Sequence, residues 1–154
     1  MGGSVDARLR SLGLELPAAP AALANYVPFA ISGDLLFVSG QISKAADGSL
    51  TVGKVGAELT TDEGAAAAAL CALNILAQAR AALGDLDRIE QVLRLTGFVN
   101  ATPDFSDHPK VVNGASDLMV EVLGDKGRHT RAAVGCSGLP ANAAVEVDAV
   151  IRFR

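Results

Sequence analysis

Residues 144–153 alternate between two kinds of side chain so regularly that they fix a β-strand with two different faces. Val145, Val147, Ala149, Ile151 and Phe153 fall on one side, and Ala144, Glu146, Asp148, Val150 and Arg152 on the other. A period of two is the period of a strand. The first set therefore belongs under a covering layer, while the second can face water, as antiparallel sheets allow. That second face is mixed rather than fully polar, so burial against another subunit is a second way to cover it.

Upstream, Arg131-Ala-Ala-Val-Gly-Cys-Ser137 also reads as a strand, and Leu139-Pro-Ala-Asn142 as a turn. A short turn between two such runs reads as strand–turn–strand, with strands over about 131–137 and 143–153. The expected result is that Arg131 and Glu146 lie near one another on adjacent strands. A forked guanidinium suits a carboxylate ligand. A carboxylate nearby can hold a water or move a proton. Glu is disfavoured in mid-strand, yet each residue taken alone reads most simply as an exposed strand side chain.

The other elements follow from spacing. Residues 5–12 form a short helix stopped by Gly13, and Pro17 to Pro20 is a linker. Residues 26–31 and 35–39 read as a hairpin around Ser32-Gly33-Asp34, with Pro28 marking an edge or bulge. Thr60-Thr-Asp-Glu63 is a capping box that opens a long helix to about Leu83, ended by Gly84. Ala66, Ala69, Leu70, Leu73, Leu76, Ala77 and Leu83 make its expected buried face, with Asn74 and Gln78 in solvent. A strand over 89–100 sets Leu93, Leu95 and Val99 against Arg94, Thr96 and Phe98. Pro109 then starts a second helix whose stripe is Val112, Ala115, Met119 and Val122, ended by Gly124. The order ββ, α, β, α, ββ defines an α+β domain with helices on one face of a mixed sheet.

Composition narrows the function classes. The 154 residues amount to about one domain, and half of them are apolar. A net charge of −4 and a pI near 5.1 argue against a general nucleic-acid binder, since no basic stripe is present. Cys71 and Cys136 read as packed, reduced thiols. His108 and His129 have no metal-ligand spacing. No stretch has the form of a secretory signal, and no apolar run looks long and unbroken enough to span a membrane. The expectation is a cytoplasmic protein. GxSxG, Walker, HExxH and GxGxxG motifs are absent from the sequence. Ser39-Gly40, after an apolar strand, could offer backbone N–H groups to an anion, or be a plain turn. Tyr26, the one tyrosine, reads most simply as packing.

Several of these residues together resemble one family. Tyr26 near the first strand, Leu36-Phe-Val-Ser39-Gly-Gln41, the segment from Asp104-Phe105 to Val112-Asn113, and Arg131…Gly138-Leu-Pro140…Val145-Glu-Val147 are similar to the RidA/YjgF family, also called the reactive intermediate deaminase or L-PSP family. The likeness covers about residues 24–154, leaving 1–23 as an N-terminal extension with a short helix. The resemblance implies a chorismate-mutase-like fold, a homotrimer, and pockets in the clefts between subunits. It implies hydrolysis of enamines and imines such as 2-aminoacrylate to a 2-keto acid and ammonia, without cofactor or metal. By position, Arg131 matches the arginine that grips the substrate carboxylate, and Glu146 the glutamate that holds or activates water. Tyr26 matches a tyrosine lining the cleft, Ser39 and Gly40 the small turn near the ligand, and Asn113 an asparagine beside the pocket. Ala133 stands where many members carry Cys and use mainly the backbone.

This chain departs from the pattern in residues 1–23, in a longer 106–111 segment, and at Ala133. The family includes subgroups without imine deaminase activity. A non-catalytic protein that binds 2-keto acids or other small carboxylates is therefore the alternative, and an endoribonuclease or translation inhibitor ranks third, with neither a membrane nor nucleic acid as the expected partner.

Overall fold

In the computed structural model, which describes residues 3–154, the elements are α1 (Ser4–Ser11), β1 (Phe29–Ser32), β2 (Leu35–Ile42), α2 (Thr61–Leu83), β3 (Ile89–Asn100), α3 (His108–Leu123), β4 (Thr130–Cys136) and β5 (Val145–Phe153). The strands form one sheet in the order β1-β2-β5-β3-β4. β3 and β4 pair in parallel, and the other neighbours are antiparallel. Helices α2 and α3 cover one face, as the alternation in β5 requires. Val145, Val147, Ala149, Ile151 and Phe153 are all buried beneath them.

The closing strands do not form a hairpin. β3 lies between β4 and β5, which corrects the expected side-by-side arrangement of Arg131 and Glu146. The cause is α3. Its 16 residues carry the chain back about 24 Å at 1.5 Å per residue, so β4 begins beside Arg94, midway along β3, and runs parallel to its second half. β5 then fills the gap between β2 and β3, antiparallel to both. The link is a turn at Pro140–Asn142, where Ala141 and Asn142 adopt left-handed φ values of 56° and 57°. Asn100 fastens that turn, with its Nδ2 donating to Ala143 O and Asn142 Oδ1, both at 3.1 Å.

Other differences have local reasons. The capping box at Thr60 and Glu63 is formed in both directions. The buried face of α2 is rotated from the expected one, however, and centres on Gly64, Ala67, Ala68, Cys71, Ala72, Ile75 and Ala79, with Leu76, Ala77 and Leu83 shared. Ala66 is exposed, and Leu70 and Leu73 are half-buried. In an alanine-rich helix the leucines stand out in the pattern, but the closest packing needs the alanines. Asn74 and Gln78 are 2% and 1% exposed rather than solvated. In β3 the pairing shifts between Val92 and Arg94, so Val92 is buried and Leu93 is only half-buried. Such a bulge reverses the alternation on either side of it. β1 starts at Phe29, leaving Tyr26 outside the strand, and β2 runs on to Ile42.

α2 is long and apolar enough to cross a membrane by length and composition, contrary to the sequence expectation, with a mean hydropathy of 1.5 over its most apolar stretch. That stretch is 61% buried inside the protein, which marks a core helix. α1 lies outside the helix layer. Its Val5 and Leu9 join the core cluster, and its first N–H groups donate to the Asp87 carboxylate.

The helices sit close because glycines let them. A Cβ on Gly97 of β3 would lie 2.6 Å from Val112 of α3, and one on Gly114 of α3 would lie 1.9 Å from the Ala65 carbonyl oxygen of α2. The second obstacle is backbone and has no rotamer to escape into. Gly114→Ala is therefore expected to lower stability by about 2 kcal/mol or more, toward the upper part of the overpacking range. Gly138→Ala, where a Cβ meets nothing within 4 Å, should stay within about 0.5 kcal/mol of the parent. Urea unfolding of the two variants checks the contrast; equal stabilities would contradict the close contact.

Candidate functional site

Arg131 and Glu146 occupy opposite faces of the sheet. Arg131 pairs with Leu95, and Leu95 with Ala149, so Arg131 stands on the helix-covered side. Glu146 pairs with Phe98, and Phe98 with Val134, on the open side. Within one protomer they belong to two separate groups of residues.

The first group lies along β4, the edge strand. Residues 129, 131 and 133 share a side of that strand and face α3. Arg131 Nη1 donates to Asn113 Oδ1 at 2.8 Å and to Ser116 Oγ at 3.0 Å. Ser116 and Asn113 are three apart on a helix and so share a face. Ser116 Oγ is also 2.9 Å from His129 Nε2, and His129 Nδ1 is 2.6 Å from Gly127 O. Since a carbonyl only accepts, Nδ1 carries a proton in this arrangement. The chain of contacts fixes one corner of the guanidinium. Among the described residues, Nε and Nη2 donate to no protein acceptor, which leaves them for a ligand. Ala133 is two residues on, beside Gly97 and partly buried against the core.

The second group surrounds a cavity of about 220 Å³, lined by Tyr26, Gly40, Gln41, Gln78, Pro140 and Glu146 among others. The β2–β5 pairing shifts between Val38 and Gln41, placing Ser39-Gly40 in a bulge. A Cβ on Gly40 would lie 2.9 Å from the Glu146 carboxylate, so any larger residue there would push that carboxylate aside. Ser39 acts as a tie: its Oγ donates to Val27 O at 2.7 Å and its N–H to Pro28 O at 2.9 Å. Tyr26, 55% exposed, is thus held at the cavity mouth by its chain neighbours. Glu146 accepts no hydrogen bond from a described residue. Burial pushes its pKa up, and the Asp148 carboxylate on the same face pushes in the same direction. Asp148 is itself raised by burial, against the pull of a Thr96 hydrogen bond and of Arg94.

Both thiols are free. Cys71 is buried with its Sγ 3.4 Å from Val145 O, and burial pushes its pKa far up, so it is inert. Burial also raises that of Cys136. Among the described residues no group of three or more His, Cys, Asp and Glu side chains could hold a metal ion.

Sequence reading missed Ser116, His129 and Gln78. The first two were findable: 129, 131 and 133 alternate on one strand face, and 113 and 116 share a helix face. Gln78 offered the weaker sign of a polar side chain inside an alanine run.

The chain belongs to the family described as "YjgF/chorismate mutase-like, putative endoribonuclease", whose model matches residues 6–151. Protein TCP17 of Trypanosoma cruzi is 51% identical over 98% of this chain and 95% of its own. Among solved structures, Atu1372 of Agrobacterium tumefaciens, described as of unknown function, is 49% identical with a TM-score of 0.90, over 97% of this chain and 94% of that one. A "putative endoribonuclease" from Shewanella oneidensis is 40% identical with a TM-score of 0.94, over 98% and 100%. E. coli TdcF with bound serine, at 23% identity and a TM-score of 0.67 over 91% and 97%, shares the fold.

A carboxyl group whose pKa is raised on folding stabilises the protein least when ionised. Below the ordinary carboxylate pKa it is protonated in both states; as pH rises through its folded value, the ionised form is disfavoured and stability falls. Glu146→Gln is therefore expected to unfold at a higher temperature than the parent at pH 7. That advantage should shrink as pH falls toward the ordinary carboxylate range. Thermal scans at both pH values check this, and a constant difference would show that Glu146 is not the group concerned.

Proposed function

We propose that this protein hydrolyses small 2-imino acids and their enamine tautomers, such as 2-aminoacrylate, to 2-keto acids and ammonia, in sites shared between subunits of a homotrimer. The observation that carries the reading is the separation of the two groups. An oriented guanidinium with free N–H groups sits at one edge of the sheet, and a desolvated, unpartnered carboxylate sits beside a small cavity on the other face. A second copy of the chain can bring them together. The open face, with Phe37 and Val134 exposed on the side opposite the helices, is apolar enough to be covered that way.

In this mechanism Arg131 of one copy binds the substrate carboxylate through Nε and Nη2 while Asn113 and Ser116 hold Nη1. Oriented binding makes the addition effectively intramolecular. Glu146 of a neighbouring copy, ionised, holds a water against the imine carbon and takes its proton as the oxygen adds to C=N. Glu146 returns that proton to the nitrogen, giving a carbinolamine; it then takes the carbinolamine hydroxyl proton and passes it to the same nitrogen as C=O forms and the C–N bond breaks, so that a 2-keto acid and ammonia leave. An enamine substrate first gains a proton at its terminal carbon to become the imine. A raised pKa makes Glu146 a stronger base than a solvent-exposed carboxylate, and puts the acid limb of the rate profile above the ordinary carboxylate range. The serine bound by TdcF is a small α-carboxylate of the kind this site would accept. A net charge of −4 disfavours RNA as the substrate.

Adding the protein to an amino-acid oxidase or threonine dehydratase reaction should speed ammonia release, and Arg131→Ala should abolish the effect. Sedimentation should give a trimer. Subunit sharing has its own test. Co-assembling Arg131→Ala with Glu146→Gln chains should restore about a quarter of the parent activity, since random mixing leaves both residues intact at that fraction of shared sites. No recovery would place both residues' work within one chain. Binding of 2-keto acids without turnover would make the protein a carboxylate-binding module. RNA cleavage by highly purified protein, lost with Arg131→Ala, would favour the nuclease.

A further inference from the structure

The cavity beside Glu146 is not made by the sheet alone. Pro20, Ala21, Ala22 and Leu23 form part of its lining, and they belong to the strap between α1 and β1. Three sets of contacts hold this strap in place. At its start, α1 is fixed by the Asp87 carboxylate, which accepts from Ser4 N at 2.7 Å and Val5 N at 2.9 Å, and by an Asp6–Arg80 ion pair to α2. Leu12, Leu14 and Leu16 then pack on the core. In the middle, the buried Gln78 of α2 donates to Pro20 O at 2.6 Å, with its Nε2 also 3.5 Å from Gln41 Oε1. At its end, Ser39 holds Val27 and Pro28. Between the last two anchors Ala24 takes a left-handed φ of 72°, a conformation alanine seldom adopts. It turns the chain from the cavity wall toward Tyr26.

The wall so placed is apolar, whereas Lys44, Asn74 and Gln41 line other parts of the cavity. Gln78 satisfies the carbonyl of Pro20 from below, so residues 20–23 offer hydrocarbon rather than charge. In the deaminase reading, a ligand whose reacting carbon faces Glu146 lies beside this cavity, which Glu146 itself lines. At about 220 Å³ the space is below the roughly 300–1,000 Å³ of most ligand pockets.

We propose that residues 20–23 are the specificity wall of the site, setting the length of alkyl side chain that a 2-imino acid can place there. The inference rests on the deaminase reading above and goes beyond it by assigning the strap a role. Gln78 is the positioning residue that holds the wall.

The test compares imines generated by an amino-acid oxidase from alanine and norleucine, with parallel calorimetry of pyruvate and 2-oxohexanoate. Two variants alter the wall: Ala22→Phe, which fills it, and Leu23→Asp, which charges it. Leu23 is 78% exposed, so its replacement leaves folding intact even where Ala22→Phe does not. The expected result is that the parent turns over the norleucine imine at least as well as the alanine imine. Each variant should lower the norleucine-to-alanine ratio of kcat/KM by about tenfold or more, in the range a misfit of a methylene or two produces. Turnover with an unchanged ratio in Leu23→Asp overturns the wall and leaves the deaminase reading standing. Keto-acid binding whose chain-length preference is lost in the variants, without turnover in the parent, supports the wall and overturns the deaminase. Neither binding nor turnover in the parent overturns both.

Discussion

β5 lies between β2 and β3, hydrogen-bonded to both, and most of the architecture depends on that insertion. Without it two parallel strands from distant parts of the chain would have no common partner. With it, β5 forms the middle of the sheet, and the core cannot close until that strand is in place. The inner face of β5 is the floor on which α2 packs. Its outer face carries Glu146 and Asp148, both raised in pKa by burial. One strand therefore supplies both the stability of the fold and the carboxylate of the candidate site, and its alternation keeps the two tasks on separate sides.

The same insertion displaces β4 to the edge, where Arg131 meets α3. Small residues make that meeting close. Gly97 admits Val112, and Gly114 admits the backbone of α2, which brings Asn113 and Ser116 within hydrogen-bond reach of the guanidinium. Polar residues in α2 serve a comparable purpose at the other end. Asn74 Nδ2 donates to Lys44 O at 2.9 Å, and Gln78 to Pro20 O. Each satisfies a backbone carbonyl of a segment without regular structure, which ties the irregular chain at the cavity to the core helix.

Much of the fold was legible because strands and capped helices announce themselves locally. The alternation in β5, the capping box at Thr60 and the stripe Val112, Ala115, Met119, Val122 each fixed an element and its buried side. What was not legible is pairing. Leu139–Asn142 looks the same whether it joins neighbours or sends the chain across an intervening strand, and only the return path through α3 distinguishes them. The bulge at Val92–Arg94 defeated a simple alternation for the same reason: pairing with a partner strand sets it. The alanine-rich α2 gave too little contrast in side-chain size to choose between adjacent faces, so Asn74 and Gln78 were placed in water. For the site, the residue types at 131 and 146 were readable, but their placement on opposite faces was not.

That placement divides the chemistry unequally. Arg131 is ordered before any ligand arrives, since Asn113 and Ser116 already hold one nitrogen. Tethering of this kind spares part of the roughly 0.5–1.5 kcal/mol that fixing a long side chain on binding would otherwise require. Glu146 is the reverse: partly desolvated, near Asp148 and without a donor, its ionised form sits at higher free energy than in water. A water that donates to it relieves that deficit, and a proton relieves it further. In the proposed assembly a bound carboxylate would bring a negative charge toward Glu146 together with the guanidinium that neutralises it. The two fields oppose each other, so burial continues to set the pKa of the base. Binding would then rest on a group kept satisfied, and turnover on a group kept wanting a proton.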